Sequence, residues 1–312
     1  MRQEGRGTLK SKVGDINNLS HSDHDVIERS AIRRRCLTCD NDRTVRWHRG
    51  LVRCLTCGLI YYPRRLSLDE QAGLYGEDYF RGAEYRDYLA DRSAHEANFR
   101  GRIRQLMRWL PRDRRLFEIG CSYGLFLNLA RAHWSVRGCD IASEPCRYAV
   151  EQLGVDARHG DFLDSPLEPG EADAFCMWDT IEHLDDPAAY LAEIARVLPD
   201  GGLLAITTGD IGSLLARVQG PRWRQIHPPT HLWYFSQKTL GLALARFEMD
   251  VVWCGRVGVA RSIGQTVYSL TSLNRTRPSP LHVLCERTGI GQLTFSLNTR
   301  DLIYVIARRR AR

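Results

Sequence analysis

At 312 residues the chain has room for about two domains, each with its own hydrophobic core. No apolar run nears the roughly 20 residues that cross a bilayer as a helix, and the opening MRQEGRGTLK has no apolar signal core, so no membrane span and a cytoplasmic location are expected. The formal net charge of +7 lies in the ends, +3 in residues 1–35 and +4 in 308–312, which leaves 36–307 neutral; this argues against a basic groove and makes nucleic acid the weaker partner.

Residues 1–30 are polar and expected to be disordered. The sequence CLTC then occurs twice, as Cys36 and Cys39 and, after fourteen residues, as Cys54 and Cys57. Each two-residue gap lets a tight turn aim two thiolates at one ion, and two such knuckles complete the tetrahedral sulfur shell that zinc prefers. The gap between the pairs holds one hairpin, with VRWH (45–48) and LVR (51–53) as strands and Arg49-Gly50 as the turn. A small zinc ribbon over 31–66 is therefore expected, with His48 as the alternative ligand. Four thiolates leave no open coordination position, so the zinc is structural. The other six cysteines are scattered, several of them in apolar runs, as suits free thiols in a reducing compartment.

Residues 67–110 are expected to form a helical connector. LYGEDYF (74–80) reads as packing material, and residues 98–110 place Phe99, Ile103, Leu106, Met107 and Leu110 on one helical face, with Pro111 as the stop.

From residue 115 short apolar strands (116–119, 135–139, 174–178, 202–207) alternate with helical stretches (125–133, 144–153, 188–198). This alternation predicts right-handed crossovers and a doubly wound parallel sheet, with any ligand at the carboxyl ends of the strands. In FEIGCSYGLFL, Glu118 closes the first strand, Gly120 permits a sharp turn, and Gly124 lets the next helix approach. Asp140 ends the second strand, where a carboxylate can accept from ribose hydroxyls, and Asp161 follows the next strand in GDF, placed for an adenine amino group. An adenosyl ligand follows from these three positions. The dinucleotide pattern G-x-G-x-x-G is absent, with Ser122 between the two glycines, and an acid such as Glu118 suits an ammonium group, so S-adenosylmethionine is preferred to a nicotinamide cofactor.

The motifs FEIGCSYGLFL, GCDI, GDF, WDTIEHLDDP and RVLPDGG resemble, in order and spacing, those of class I S-adenosylmethionine-dependent methyltransferases over residues 115 to about 208. With the CxxC/CxxCG ribbon, a YxxxYF segment and HLWYFS added, the whole is similar to the zinc-ribbon methyltransferases found among bacterial genes for surface glycans and other secondary products. The resemblance implies an α/β, Rossmann-like, seven-stranded sheet over 111–312. It implies that Glu118, Gly120 and Gly124 hold the methionine part of the cofactor, and that Asp140 and Asp161 hold ribose and adenine. Cys121, Ile141, Phe162 and Asp179 complete the expected cofactor set.

Methyl transfer from a sulfonium is an in-line displacement, so positioning supplies much of the rate and a base is needed only where the acceptor must lose a proton. Glu182 and His183 follow the fourth strand, and His183 is the first candidate base; the alternative is that the pair fixes the turn into the helix starting at Asp186-Pro187. RWRQIHPPTHLWYFS (222–236) reads as a stiff aromatic wall, with His231 as a second catalytic candidate, or as a histidine held to a backbone carbonyl, and with Ser236 as a helix cap. Strands at 250–254 and 301–307 are expected to close the sheet as an antiparallel pair. The insertion between them, 258–300, needs structure of its own, helical near 262–273 and 281–287, and serves as an acceptor lid or a dimer surface. The expected function is methylation of a small molecule or glycan precursor. The alternatives are an RNA methyltransferase whose ribbon reads the substrate, and a ribbon-based binding protein with a degenerate methyltransferase domain.

Overall fold

Three short strands open the described part of the chain, β1 (Thr44–Arg46), β2 (Val52–Cys54) and β3 (Ile60–Tyr61), before helix α1 (Arg92–Leu106). A βα alternation follows: β4 (Arg115–Ile119), α2 (Leu125–Ala130), β5 (Ser135–Asp140), α3 (Ser143–Leu153), β6 (Asp156–His159), β7 (Ala174–Trp178), α4 (Pro187–Val197) and β8 (Leu203–Gly209). Then come α5 (Leu214–Gln219), β9 (Trp233–Tyr234), α6 (Gln237–Arg246) and β10 (Met249–Arg256). The chain finishes with β11 (Val259–Ser262), α7 (Ile263–Thr271), α8 (Pro280–Arg287), β12 (Thr294–Leu297) and β13 (Leu302–Arg309). The structure is a computed structural model and describes residues 34–67, 70, 88–271 and 279–311; the 1–30 tail and the LYGEDYF segment at 74–80 lie outside the described residues.

The main sheet has seven strands in the order β10-β13-β8-β7-β4-β5-β6. Strands β4 to β8 are parallel, and β13 runs antiparallel to both its neighbours. Strict two-residue alternation divides the side chains between two faces. Phe117, Ile119, Phe175 and Met177 enter one buried cluster with α4 and α6, while Leu116, Ala174, Cys176 and Trp178 enter the other with α1, α2 and α3. From β4 the chain crosses to β5 on one side and later returns to β7 on the other, so the order reverses at β4/β7 and a crevice opens above their carboxyl ends.

The ribbon strands do not form a sheet by themselves. A second sheet runs β1-β2-β3-β9, so the 222–236 segment supplies its fourth strand, with Ile60 opposite Tyr234 and Tyr61 opposite Trp233. Tyr61 and Trp233 stack at 5.3 Å, and Cys36, Leu37, Cys54, Leu59, Tyr61 and Leu66 share the cluster that contains Phe117 and Leu191. The expected free aromatic wall is thus a paired strand, which covers an edge that β3 would otherwise expose.

The hairpin turn is as expected, with Arg49 (φ 55°) and Gly50 (φ 72°) both left-handed and Trp47 N–H bonded to Leu51 O at 2.8 Å. The helix expected at 98–110 instead spans Arg92–Leu106. It buries Phe99, Ile103 and Leu106, but Met107 is 37% exposed, and Leu110 is buried only beyond the helix end. Asn98 lies in mid-helix, and its side-chain amide exchanges two hydrogen bonds with Ala260 of the insertion, 3.1 and 2.7 Å. The insertion is closed by an antiparallel β11/β12 pair that the sequence pattern did not announce.

Candidate functional site

The two CLTC turns bring their sulfurs together. Cys36 Sγ and Cys57 Sγ are 3.4 Å apart, Cys39 Sγ and Cys54 Sγ 3.5 Å, and all four lie within 4.8 Å of one another. These separations are too long for a disulfide, about 2.05 Å, and close to the roughly 3.8 Å edge of a tetrahedron with metal–sulfur bonds of about 2.3 Å. Against the effect of its burial, the backbone N–H groups of Cys57 and Thr56 hold the Cys54 thiol down to about 7. His48 is exposed, against Trp47, and is not part of this cluster.

The carboxyl ends of β4, β5 and β6 stand side by side and carry the three acids. Gly120 (φ 79°) and Gly124 (φ 70°) are cradled: a Cβ at the first would lie 2.7 Å from the Thr180 side chain, and one at the second 2.7 Å from Ala149 Cβ. The loop between them is folded onto the next strand. Gly120 and Cys121 N–H both bond Cys139 O, and Asp140 accepts from Ser122 N–H at 2.8 Å and from Ala142 N–H at 2.9 Å. These amide bonds hold Ser122 in a left-handed backbone (φ 46°) that otherwise favours glycine. Burial raises the Asp140 carboxyl, and the two amides oppose that rise. Asp161 accepts from Leu163 N–H at 2.8 Å and from the Tyr190 hydroxyl.

Glu118 is 2% exposed, and its Oε2 has no hydrogen-bond partner among the described residues. Burial pushes its carboxyl well above the usual range, with the Arg102 charge pulling the other way. An orphaned, buried carboxyl oxygen at the end of β4 fits the place of a cationic ligand group. Cys121 and Phe162 are turned inward: Cys121 sits beside Cys146, and the Phe162 ring packs against Phe117 and Phe175. Only their main chain is left to face a ligand, and the Cys121 N–H is already used. Ile141 is 50% exposed at the mouth. Asp179, left-handed at φ 55°, bonds Arg102 Nη2 at 2.7 Å and the Thr207 hydroxyl at 3.1 Å.

Beyond Asp179, one ligand atom from each of Glu182, His183 and His231 lies within 4.8 Å of the other two. The two imidazoles meet edge to face at 4.5 Å, and His227 lies 3.9 Å from His231. His183 Nδ1 faces Thr230 O and His231 Nδ1 faces Gln225 O, each at 3.0 Å. A carbonyl only accepts, so each Nδ1 carries the proton and each Nε2 the lone pair. Burial lowers the His183 imidazole to about 4 and that of His231 well below the usual value. Burial together with the Asp179 charge raises the Glu182 carboxyl to about 8. The ribbon holds this cluster in place: Leu232 and Trp233 N–H bond Glu182 O, Tyr62 N–H bonds Leu232 O at 2.8 Å, and Arg49 reaches Ile226 O at 2.8 Å. Arg34, 5% exposed, clamps Asp185 through both side chain and carbonyl while lying over Trp233.

Residues 88–252, more than half of the chain, match the model of a family described as a methyltransferase domain. The chain belongs to this family. Among curated proteins, the methyltransferase-domain chain is 30% identical over 158 residues to the ubiquinone biosynthesis O-methyltransferase of Cereibacter sphaeroides, covering 47% of this chain and 62% of that protein. It is 35% identical over 130 residues to a biotin biosynthesis bifunctional protein of Bordetella avium, covering 38% of this chain and 25% of that one. The chain therefore spans less than two thirds of the length of either relative. Among solved structures, it is similar to the [4+2]-cyclase SpnF (18% identity, TM-score 0.46, 67% of this chain and 80% of that one) and to a geranyl diphosphate methyltransferase in complex with S-adenosylmethionine (16%, 0.45, 69% and 85%).

Sequence reasoning missed Arg102, Tyr190 and His227. Arg102 lay in a stretch assigned to packing, and its guanidinium over the Trp178 ring at 5.2 Å shows that it packs and pairs at once. Tyr190 has no motif, and only the fold brings it to Asp161; His227 lies in the same 222–236 stretch as His231, which was preferred to it.

Proposed function

We propose that this protein transfers a methyl group from S-adenosylmethionine to a small molecule or glycan precursor, in the cytoplasm, and that its four CLTC thiolates hold a structural zinc. The observation that carries the reading is the row of acids at the ends of β4, β5 and β6, with Glu118 buried and its Oε2 lacking a hydrogen bond among the described residues. In this reading the Glu118 carboxylate takes the ammonium group, Asp140 the ribose hydroxyls and Asp161 the adenine amino group. Gly120 and Gly124 keep the turn open to a close ligand. The six cysteines outside the CLTC turns are free thiols, which suits a reducing compartment.

S-adenosylmethionine supplies a methyl group on a sulfonium, a good leaving group. The chain's own task is then to hold the acceptor in line and to exclude water. Glu182, His183 and His231 are placed to seat the acceptor oxygen. Both imidazoles are neutral, the form a base requires, but burial leaves His183 with a conjugate acid near 4 and lowers His231 well below its usual value, too acidic to match a proton transfer near pH 7, so the cluster acts chiefly by positioning.

Equilibrium binding tests the donor half directly. One-to-one, saturable binding of S-adenosylmethionine is expected, weakened in E118Q; absence of binding by the wild-type protein would overturn the reading.

A further inference from the structure

We propose that Glu182, His183 and His231 form a metal site distinct from the cysteine cluster, binding a divalent first-row transition cation with coordination positions left open for an oxygen of the methyl acceptor. This rests on the methyltransferase reading and adds a cation to its acceptor side.

Three observations converge. First, both imidazoles donate Nδ1–H to backbone carbonyls, Thr230 O and Gln225 O. Metal-binding histidines are held in this way, with the ring fixed and Nε2 presented as a donor lone pair. Second, Glu182 is 3% exposed and its Oε2 has no hydrogen-bond partner among the described residues. The cationic side chain in its neighbourhood, Arg102, is engaged by Asp179 at 2.7 Å. Third, the three ligand atoms lie within 4.8 Å of one another. Bonds of about 2.0 to 2.2 Å put ligand atoms about 3 to 3.5 Å apart, so side-chain adjustments of about an ångström close the site.

Two nitrogens and one carboxylate oxygen form a borderline donor set, suited to zinc, iron, cobalt or manganese and unlike the closed all-sulfur shell of the ribbon. Three protein ligands leave at least one position open, and His183 is the partly exposed member of the three. A hydroxyl bound there loses its proton to solvent more readily. Its oxygen then bonds to the methyl carbon as the carbon–sulfur bond breaks, so that alcohol and sulfonium give methyl ether, thioether and one proton.

The test is a calorimetric titration of the full chain, with the ribbon's metal retained, using Co2+ as the probe, on wild type, E182Q and H231A. Affinity for S-adenosylmethionine is measured in parallel. The expected result is one cobalt equivalent without thiolate-to-cobalt absorption, weakened roughly 10- to 100-fold or more in both variants, while E182Q, isosteric with wild type, keeps its S-adenosylmethionine affinity. No such equivalent in wild type, or equal binding by E182Q, would overturn the site and leave Glu182 as a protonated carboxyl beside the imidazoles. Failure of wild type to bind S-adenosylmethionine would contradict the methyltransferase reading instead, and the cobalt titration would still decide the metal site.

Discussion

In the proposed reading two carboxyls serve the donor side by different means. Asp140 has both oxygens engaged by backbone amides, so it shapes the loop whose turn would face the ribose it is proposed to bind. D140A removes the acceptor for both amides, and about 1.5 to 3 kcal/mol of S-adenosylmethionine binding should go with it, a loss of roughly 10- to 100-fold measurable by calorimetry. Burial raises the Glu118 carboxyl well above the usual range. Its folded pKa lies above the ordinary 4.5, so the folded state holds more protons than the unfolded one, and the ligand-free protein loses stability as pH rises from 4.5 toward the folded value. Binding an ammonium group reverses this preference and releases the proton, so affinity for S-adenosylmethionine should increase with pH. Titrations in buffers of different ionisation enthalpy should detect the released proton in wild type and none in E118Q.

At the scale of elements, the pairing of β3 with β9 links the cysteine cluster to the histidine loop. C36S should therefore lose zinc and, with it, protection of the Leu232 to Tyr234 amides in hydrogen exchange, while S-adenosylmethionine affinity stays within about 2-fold of wild type. Unchanged protection at β9 would separate ribbon from loop. This link was not legible in the sequence, because a two-residue strand has no period and its partner lies far away in the chain. What was legible was local: the parallel strands, whose alternating residues feed two core faces; the glycine turn and three strand-end acids; and the cap of α6, where Ser236 and Thr239 bond reciprocally. Helix α5 was missed because it is six residues long and buries Ala216 while Leu214 and Val218 are 79% and 77% exposed, too little of an inward apolar face to recognise. The grouping of Glu182, His183 and His231 was half legible: each was singled out, but their convergence needed the ribbon pairing that places β9.

At the scale of the whole molecule, the ribbon shares a core with the sheet, and its buried residues contact the face that α4 and α6 cover. In the proposed reading the cysteine cluster supports the acceptor side by holding β9, and the opposite face, where Arg102 of α1 bears on Glu118, serves the donor. The central claim is transfer of a methyl group from S-adenosylmethionine to a small molecule, and the most direct test is to incubate the purified protein with methyl-labelled S-adenosylmethionine and an extract of its host lacking the gene, then to separate small-molecule and glycan, RNA and protein fractions. Label in the small-molecule or glycan fraction, lost in D140A, is the predicted result; label that ribonuclease removes, or no transfer to any fraction, would contradict it.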